Sequence, residues 1–353
     1  MEFGVSVGHI TAIDYAQHGE RLGFTRCWVT DSPLLRSNLF ATLAAIAMTT
    51  RTIKLGTGVA VCGVRLAPEA ANGIATINAL APGRTFAILG TGNTAMRMLG
   101  SRQMSAKSLR EYVRVVRGLL HGEEVQYTLD GSTHPIRFTS LEQNYVRLDP
   151  RPEIYVAANG PIGQTIAGEL GDGLCTAFPR GGTIESALAN VRKGAERVGR
   201  TLPENFPTAA LLNVLMLEPG ESLTSPRVIS QIGPAIMTNF HNIIDLVRDT
   251  GKEPPPYIRS VWKDYVAYEE AKAASDAHLN MHSSHYATIA PEEVRFLTPE
   301  IIRAFCVIGE PAELIEQLRD LDRRGLKQVT FHPPFAQRYE VMERYAREVI
   351  QKM

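Results

Sequence analysis

Short apolar runs of strand length alternate along the chain with segments whose apolar residues recur at helical spacing. The first run is Phe3–Gly8, and the helical pattern Ile13–Leu22 follows it and ends at Gly23. Runs of this kind recur, and each is followed by at least one helical pattern. The eight predicted strands are Phe3–Gly8, Cys27–Thr30, Ile53–Gly58, Thr85–Leu89, Ile154–Ala158, Leu174–Ala177, Ala209–Leu217 and Gln328–His332. Because eight parallel strands separated by helices can close into a barrel, the pattern predicts an α/β fold of the (β/α)8 TIM-barrel type, with an open doubly wound sheet as the alternative.

Two segments interrupt the alternation of strands and helices. Residues 122–152 contain a possible hairpin at Leu129-Asp130-Gly131-Ser132. Residues 222–304 are too long for a simple strand-to-helix connection, and they carry Pro254-Pro255-Pro256 between two helical patterns. We therefore expect one TIM-barrel domain over residues 1–353, with 222–304 as a helical insertion before the last strand. This insertion would serve as a lid, as a wall of the substrate pocket or as a dimer contact.

Composition and charge exclude several classes of function. The 353 residues are 44% hydrophobic and 21% charged, which is ordinary for a globular protein. Lys and Arg together number 37, as do Asp and Glu, so the basic excess typical of nucleic-acid binders is missing. No apolar run has the length of a membrane span, and the first residues do not resemble a signal peptide. We expect a cytoplasmic protein with no nucleic-acid or membrane partner, whose four separate cysteines are reduced and mostly buried.

Three of the predicted strands end in glycine-containing turns. They are Gly56-Thr57-Gly58-Val59, Gly90-Thr91-Gly92-Asn93 and Ala157-Ala158-Asn159-Gly160-Pro161. Glycine allows the backbone to approach a ligand closely, and strand ends of a parallel barrel share one rim. The third turn also opens a helix, with Asn159 as the predicted N-cap and Pro161 near the first position, where free N–H groups favour a phosphate. None of the turns has the GxGxxG spacing of dinucleotide-binding folds, so the motifs predict a different coenzyme site on this rim.

Eight short motifs follow one another along the chain: Trp28–Asp31, Ile53–Val59, Gly83-Arg84, Gly90–Asn93, Arg117–Glu123, Ala158–Pro161, Gly171–Gly173 and Ile308–Leu314. As an ordered set they resemble the luciferase-like flavin and deazaflavin oxidoreductases, and within them the methylenetetrahydromethanopterin reductase branch. The resemblance covers residues 1–217 and 298–333. It implies a (β/α)8 barrel that binds reduced FMN or the deazaflavin coenzyme F420 at the C-terminal ends of its strands.

The resemblance also implies roles for individual residues. Thr57, Gly58 and Val59 would line the isoalloxazine ring, with a non-proline cis peptide near Gly58-Val59. Asn93, after Gly92, would contact the ring or the ribityl chain. The phosphate would be held by Asn159 and Gly160, next to Ala158, Thr176 and Ala177.

The chain departs from the deazaflavin pattern at three places. Ser32 stands where that branch usually has His after Asp, Ala60–Gly63 replaces a Thr-Asn-Pro sequence, and Asn93 replaces an Asp.

Histidines and one aspartate are the candidates for proton transfer. His9 and Asp31 end the first two predicted strands, so both are expected on the rim that carries the coenzyme, although Asp31 is alternatively an N-cap of the following turn. His278, His282 and His285 have the spacing i, i+4, i+7 and share one face of a helix. This cluster is interpreted as catalytic, with a polar helix face and a metal site as alternatives. The expected catalytic set is His9, Asp31, His278, His282 and His285, and no metal is assigned.

The leading functional hypothesis is an FMN-dependent two-component monooxygenase that acts on a small organic substrate. Its reduced FMN would come from a separate flavin reductase, and relatives suggest a homodimer. The alternatives are an F420-dependent reductase or dehydrogenase, which transfers hydride without oxygen, and a non-catalytic flavin-binding barrel.

Overall fold

The computed structural model describes residues 1–178, 182–272, 286, 288–334 and 336–353. The strands are β1 Glu2–Val7, β2 Arg26–Val29, β3 Lys54–Val61, β4 Thr85–Gly90, β5 Val125–Leu129, β6 Ser132–Ile136, β7 Glu153–Ala157, β8 Gly173–Thr176, β9 Thr208–Met216, β10 Cys306–Gly309 and β11 Gln328–Phe331. The helices are α1 Ile13–Arg21, α2 Leu39–Thr49, α3 Ala67–Leu80, α4 Thr94–Met98, α5 Ala106–Leu120, α6 Pro161–Leu170, α7 Ile184–Arg197, α8 Pro226–Thr250, α9 Arg259–Ala271, α10 Pro299–Phe305, α11 Pro311–Arg323 and α12 Arg338–Glu348. All eight strands predicted from the sequence are present.

Eight of the strands form a closed parallel barrel. Apart from residues 212–216 of β9 and the last residue of β11, these strands lie in one compact unit, the barrel unit, made of Met1–Ala95, Gln103–Leu211 and Leu321–Thr330. The strand order is β9-β11-β1-β2-β3-β4-β7-β8, and an additional pairing of β8 with β9 closes the ring. The predicted (β/α)8 TIM barrel is thereby confirmed, and the open doubly wound sheet is wrong.

Large side chains from β2 and β4 fill the space that two glycines of β3 leave in the barrel interior. A Cβ atom on Gly58 would lie 2.5 Å from the Cβ of Trp28, and one on Gly56 would lie 2.1 Å from the carbonyl oxygen of Phe86. Neither position accepts a side chain without displacing the neighbouring strand. The buried core cluster around them consists of Trp28, Phe86, Ile88, Tyr155, Cys175 and Ala209.

Charged residues form the N-terminal end of the barrel. The buried Arg26 donates hydrogen bonds to Glu2 at 2.9 Å and to Glu153 at 3.0 Å, and Lys54 donates to Glu153 at 2.8 Å. The Arg26 guanidinium also lies 5.3 Å from the centre of the Phe86 ring. In this fold, polar groups at the N-terminal end of the strands serve stability, and the opposite end carries chemistry.

The predicted hairpin is present as an antiparallel pair of β5 and β6. Its turn residues Asp130 and Gly131 have positive φ angles of 50° and 80°, as a two-residue hairpin turn requires. Cys27, Cys62 and Cys175 are free and buried and Cys306 is partly buried, which agrees with the expectation of reduced thiols.

The second unit consists of Met96–Arg102, Leu212–Asp320 and Phe331–Met353. Helices α8 and α9, on either side of Pro254-Pro255-Pro256, confirm the helical patterns expected there. Their core includes an edge-to-face pair of Phe240 and Tyr265, whose ring centres are 5.0 Å apart. Strand β10, which pairs in parallel with residues 213–216 of β9, was not predicted. The single-domain assignment and the role of 222–304 stay predictions.

Within the described residues, no helix combines the length and the apolar character that crossing a membrane requires.

Candidate coenzyme site

Strand β3 carries an irregularity at the position where the sequence analysis placed the coenzyme ring. Gly58 pairs with Ile88 and Ala60 pairs with Leu89, so Val59 has no partner on β4. The peptide bond between Gly58 and Val59 is cis, which confirms the prediction of a non-proline cis bond there.

The hydroxyl of Thr57 is bound to the backbone of β4. It donates a hydrogen bond to the carbonyl oxygen of Ile88 and accepts one from the Ile88 N–H, both at 2.8 Å. Thr57 is buried, and its hydroxyl adds two hydrogen bonds between β3 and β4 just before the irregularity. Its side chain therefore helps to hold the backbone of Gly58 and Val59.

Asp31 is part of a buried ion pair next to the same bulge. Its carboxylate accepts two hydrogen bonds from Arg65, of which Nη2 to Oδ1 measures 3.1 Å, and a third from the Val61 N–H at 2.8 Å. Only 4% of the Asp31 side chain and 12% of the Arg65 side chain are exposed. The alternative interpretation of Asp31 as an N-cap is wrong, because its carboxylate bonds the end of β3, and α2 is capped by Asn38.

The sequence analysis missed Arg65, which lies 34 positions after Asp31 and belongs to no motif. Burial lowers the pKa of the Arg65 guanidinium, but its hydrogen bonds and charge pairing with Asp31 outweigh burial and raise the pKa above the ordinary value. Arg65 thus keeps its positive charge, and the three hydrogen bonds that the Asp31 carboxylate accepts hold the end of β3 in place.

Small residues bring the ends of three strands together above the core. A Cβ atom on Gly90 would lie 3.1 Å from Val59 and 3.2 Å from Ala157, and Gly92 has a φ of +67°. Val59, Ala157 and Leu211 are partly buried and pack on the core cluster around Trp28. The C-terminal end of the barrel therefore presents a small apolar surface of the kind on which a planar ring can lie.

The turn after β7 differs in one detail from the prediction. The N-cap of α6 is Gly160, with Pro161 in the first turn as expected, and Asn159 does not cap the helix. The Asn159 Oδ1 instead accepts hydrogen bonds from the Ala177 N–H at 2.9 Å and from the Thr176 hydroxyl at 3.4 Å. The Asn159 side chain thus ties the end of β7 to the end of β8, because these backbone and hydroxyl donors lie across the rim.

Space is open at the start of α6. A Cβ atom on Gly160 would meet no atom within 4 Å, and Gly160 is exposed. The ten-residue helix that follows presents the free N–H groups of its first turn there, which is the geometry that binds phosphate. Ala158, next in the turn, is half-buried.

The remaining predicted residues are placed as follows. His9 is half-buried and lies two residues after β1, and Asn93 is half-buried and directly precedes α4. His278, His282 and His285 lie outside the described residues. The barrel unit therefore brings together the predicted coenzyme residues of β3, β4, β7 and β8 at one rim, with Asp31 beside them.

Comparisons with known proteins agree with this geometry. A family model for luciferase-like monooxygenases matches residues 10–328. The chain is 32% identical over 212 residues to a 5,10-methylenetetrahydromethanopterin reductase of Methanolobus tindarius, in an alignment that covers 60% of the chain and 63% of that relative. It is 28% identical over 305 residues to an F420-dependent glucose-6-phosphate dehydrogenase of Kineococcus radiotolerans, covering 81% of the chain and 89% of the relative. The solved structure of a coenzyme F420-dependent tetrahydromethanopterin reductase from Methanopyrus kandleri superimposes with a TM-score of 0.68 and 20% identity, over 99% of both chains.

Proposed function

The chain belongs to the luciferase-like monooxygenase family and is a flavin- or deazaflavin-dependent oxidoreductase, and from this premise we propose that its coenzyme is the deazaflavin F420. The proposed reaction is the transfer of a hydride between F420 and a small organic substrate. The observation that carries the proposal is the similarity over 305 residues to an enzyme whose name states F420 dependence. The FMN-dependent monooxygenase that the sequence analysis placed first has less support, since it depends on the family name and on the departures from the deazaflavin pattern.

The residues at the rim fit a coenzyme that has a flat ring and a phosphate. Val59, Ala157 and Leu211 supply an apolar surface, and Gly160 leaves room beside the first turn of α6. When bound, F420 supplies a two-electron hydride donor or acceptor. Reduced FMN has the same kind of ring and a phosphate, so this fit supports the class of coenzyme and leaves the choice to experiment.

Side chains of this protein would have two further roles, which are to position the strand ends at the rim and to transfer a proton. Asp31 and Arg65 hold the end of β3, and Asn159 holds the end of β8. His9, on the loop after β1, is the group proposed to hold or move the substrate proton, because imidazole changes charge near neutral pH. The apolar surface of Val59, Ala157 and Leu211 would exclude water from the face of the ring that lies on it.

Anaerobic titrations with F420 and with reduced FMN test the coenzyme. We expect F420 to bind at least about tenfold more tightly, a difference of about 1.4 kcal/mol, and we expect reduction of substrate or of F420 to consume no oxygen. Tight binding of reduced FMN without binding of F420, together with oxygen consumption, would overturn the proposal in favour of the monooxygenase.

Two variants of Gly160 test where the phosphate binds. Gly160→Asp adds a carboxylate at an N-cap, where it stabilises the helix while repelling a phosphate. Gly160→Ala adds only a methyl group in open space. We expect Gly160→Asp to bind coenzyme at least about tenfold less tightly than Gly160→Ala, with equal or higher melting temperature. Equal affinities of the two variants would place the phosphate elsewhere.

A further inference from the structure

Three buried side chains with metal-ligating atoms meet in the second unit, on three different elements. His241 lies on α8, Glu269 on α9 and Glu293 in the short 3-10 helix Pro291–Phe296, and each is at most 6% exposed. One nitrogen or oxygen of each lies within 4.8 Å of those of the other two, and His241 Nε2 is 4.0 Å from Glu293 Oε1. Within the described residues, no other group of His, Cys, Asp and Glu has this arrangement. The proposed coenzyme chemistry makes no use of it.

The hydrogen bonds of the two carboxylates leave one oxygen of each facing the others. Glu293 Oε2 accepts the Ala290 N–H at 3.0 Å, and Oε1 accepts a hydrogen bond from the half-exposed Lys272 ammonium at 3.4 Å. Glu269 Oε1 is buried and accepts no hydrogen bond from any residue that the structure describes. A buried carboxylate oxygen without a hydrogen bond costs about 1–3 kcal/mol or more unless a cation compensates it.

A fully buried phenol lies on the same helix as Glu269. Tyr265 lies one turn before Glu269 on α9, and its hydroxyl has no hydrogen-bond partner in the described part of the chain. Because residues four apart share one face of a helix, Tyr265 places a second buried polar group without a hydrogen-bond partner among the described residues on the face of α9 that carries Glu269.

We propose that His241, Glu269 and Glu293 bind a divalent cation of the zinc class, with a water as the fourth ligand. One imidazole with carboxylates suits zinc or manganese, whereas calcium and magnesium prefer oxygen alone and copper(I) prefers sulfur. Tetrahedral zinc with bonds of about 2.0–2.2 Å spaces its ligand atoms about 3.4 Å apart. The observed separations, 4.0 Å for His241 to Glu293 and up to 4.8 Å in the group, are longer than this, so the two glutamate side chains would rotate toward the ion.

Lys272 is the competing cation at this site. Its Nζ lies 3.4 Å from Glu293 Oε1 and 3.6 Å from Glu269 Oε1, and 46% of its side chain is exposed. It follows the last turn of α9, so its ammonium group can move into solvent when a doubly charged ion enters. We therefore expect Lys272→Gln to bind the ion more tightly than the wild type, because the substitution removes the ammonium charge that competes with the ion.

Isothermal titration of the chelator-treated full chain with Zn²⁺ and with Mn²⁺ tests the proposal, with metal stoichiometry and melting temperature as readouts. We expect one ion per chain and a rise in melting temperature in the wild type, and tighter binding in Lys272→Gln. Binding should be lost in His241→Ala and in Glu269→Gln. Glu269→Gln keeps its shape and removes a buried charge, so it is expected to fold.

Glu270→Gln is the matched control, since Glu270 is the next residue on the same helix and is exposed. It should bind the ion as the wild type does. Binding in Glu269→Gln equal to that in Glu270→Gln would overturn the proposal, as would absence of binding in both the wild type and Lys272→Gln. These readouts do not involve the coenzyme, so a failure here is independent of a failure of the proposed function.

Discussion

Replacing Asp31 by Asn tests whether this residue holds the fold of the rim or takes part in the reaction. The carboxylate accepts two hydrogen bonds from Arg65 and one from the Val61 N–H. An Asn side chain of the same size turns an NH2 group toward the guanidinium or toward the backbone N–H. Either orientation opposes two donors and leaves the Arg65 charge buried without its partner.

The magnitude follows from the burial of the pair. Removing one member of a buried ion pair costs about 3–5 kcal/mol, because the remaining charge is uncompensated. Glu69, 3.5 Å from Arg65 Nε, compensates in part, although its side chain is 57% exposed. We therefore expect a loss near the lower end, about 3 kcal/mol, which at about 2 °C per kcal/mol lowers the melting temperature by about 6 °C.

Urea unfolding and coenzyme titration of Asp31→Asn measure both effects, with Glu69→Gln as the control. Glu69 pairs with the same guanidinium but is exposed, so its replacement should cost at most about 0.5 kcal/mol. Because Val61 ends the bulged strand, Asp31→Asn should also weaken coenzyme binding, while turnover at saturating coenzyme remains measurable. An Asp31→Asn protein that unfolds like the wild type, binds coenzyme normally and has lost turnover would refute the reasoning and make Asp31 catalytic.

Three further predictions concern the rim and the start of β3. Gly92→Ala should destabilise the protein in urea unfolding by about 1–3 kcal/mol, because φ at this position is +67° and a Cβ atom would lie 2.4 Å from a side chain of β3; stability within 0.5 kcal/mol of the wild type would contradict it. Asn159→Ala should weaken coenzyme binding with little change in melting temperature, because it removes an exposed hydrogen bond to the Ala177 N–H, and unchanged affinity would exclude Asn159 from the site. Burial acts to raise the pKa of Glu20, but hydrogen bonds from the N–H groups of residues 51–53 outweigh it and lower the pKa. A carboxyl whose pKa is lowered by folding stabilises the folded state at pH values above its unfolded-state pKa of about 4.3, and it loses that contribution as the pH falls. Glu20→Gln should therefore lower the free energy of unfolding by about 2 kcal/mol at neutral pH. In acid denaturation the difference from the wild type should shrink progressively below about pH 4.

Periodicity was sufficient to predict the strands of the barrel, since each is a short apolar run between helical patterns. It failed at β10, where Cys306–Gly309 follows the apolar residues of α10 without a polar break or a turn. A four-residue strand in this context has the same pattern as the end of a helix. The five-residue helix α4 was missed because it is too short to show a period.

The glycine turns were predictable for a different reason from the contacts around them. Gly92 needs a positive φ and Gly58 faces Trp28, so both positions exclude other residues. The glycine itself can therefore be recognised in the sequence. The pairing of Asp31 with Arg65 cannot be recognised in the sequence, because it depends on how two loops that follow separate strands meet in the fold. Asn159 has the sequence context of an N-cap, and its capping bond is replaced by bonds to Thr176 and Ala177 that exist only after β7 and β8 are paired.

The position of β11 in the ring has a consequence for synthesis of the chain on the ribosome. Strand β1 lies between β2 and β11, and the Glu2 N–H donates its hydrogen bond to the Lys327 carbonyl. At about 5–20 residues per second, translation reaches β11 roughly 15–65 s after β1 has been made. Throughout that interval one edge of β1 has no partner and is open to pairing with other nascent chains. The last strand to be made therefore covers an edge of the first, and the ring cannot close before β11 has been synthesised.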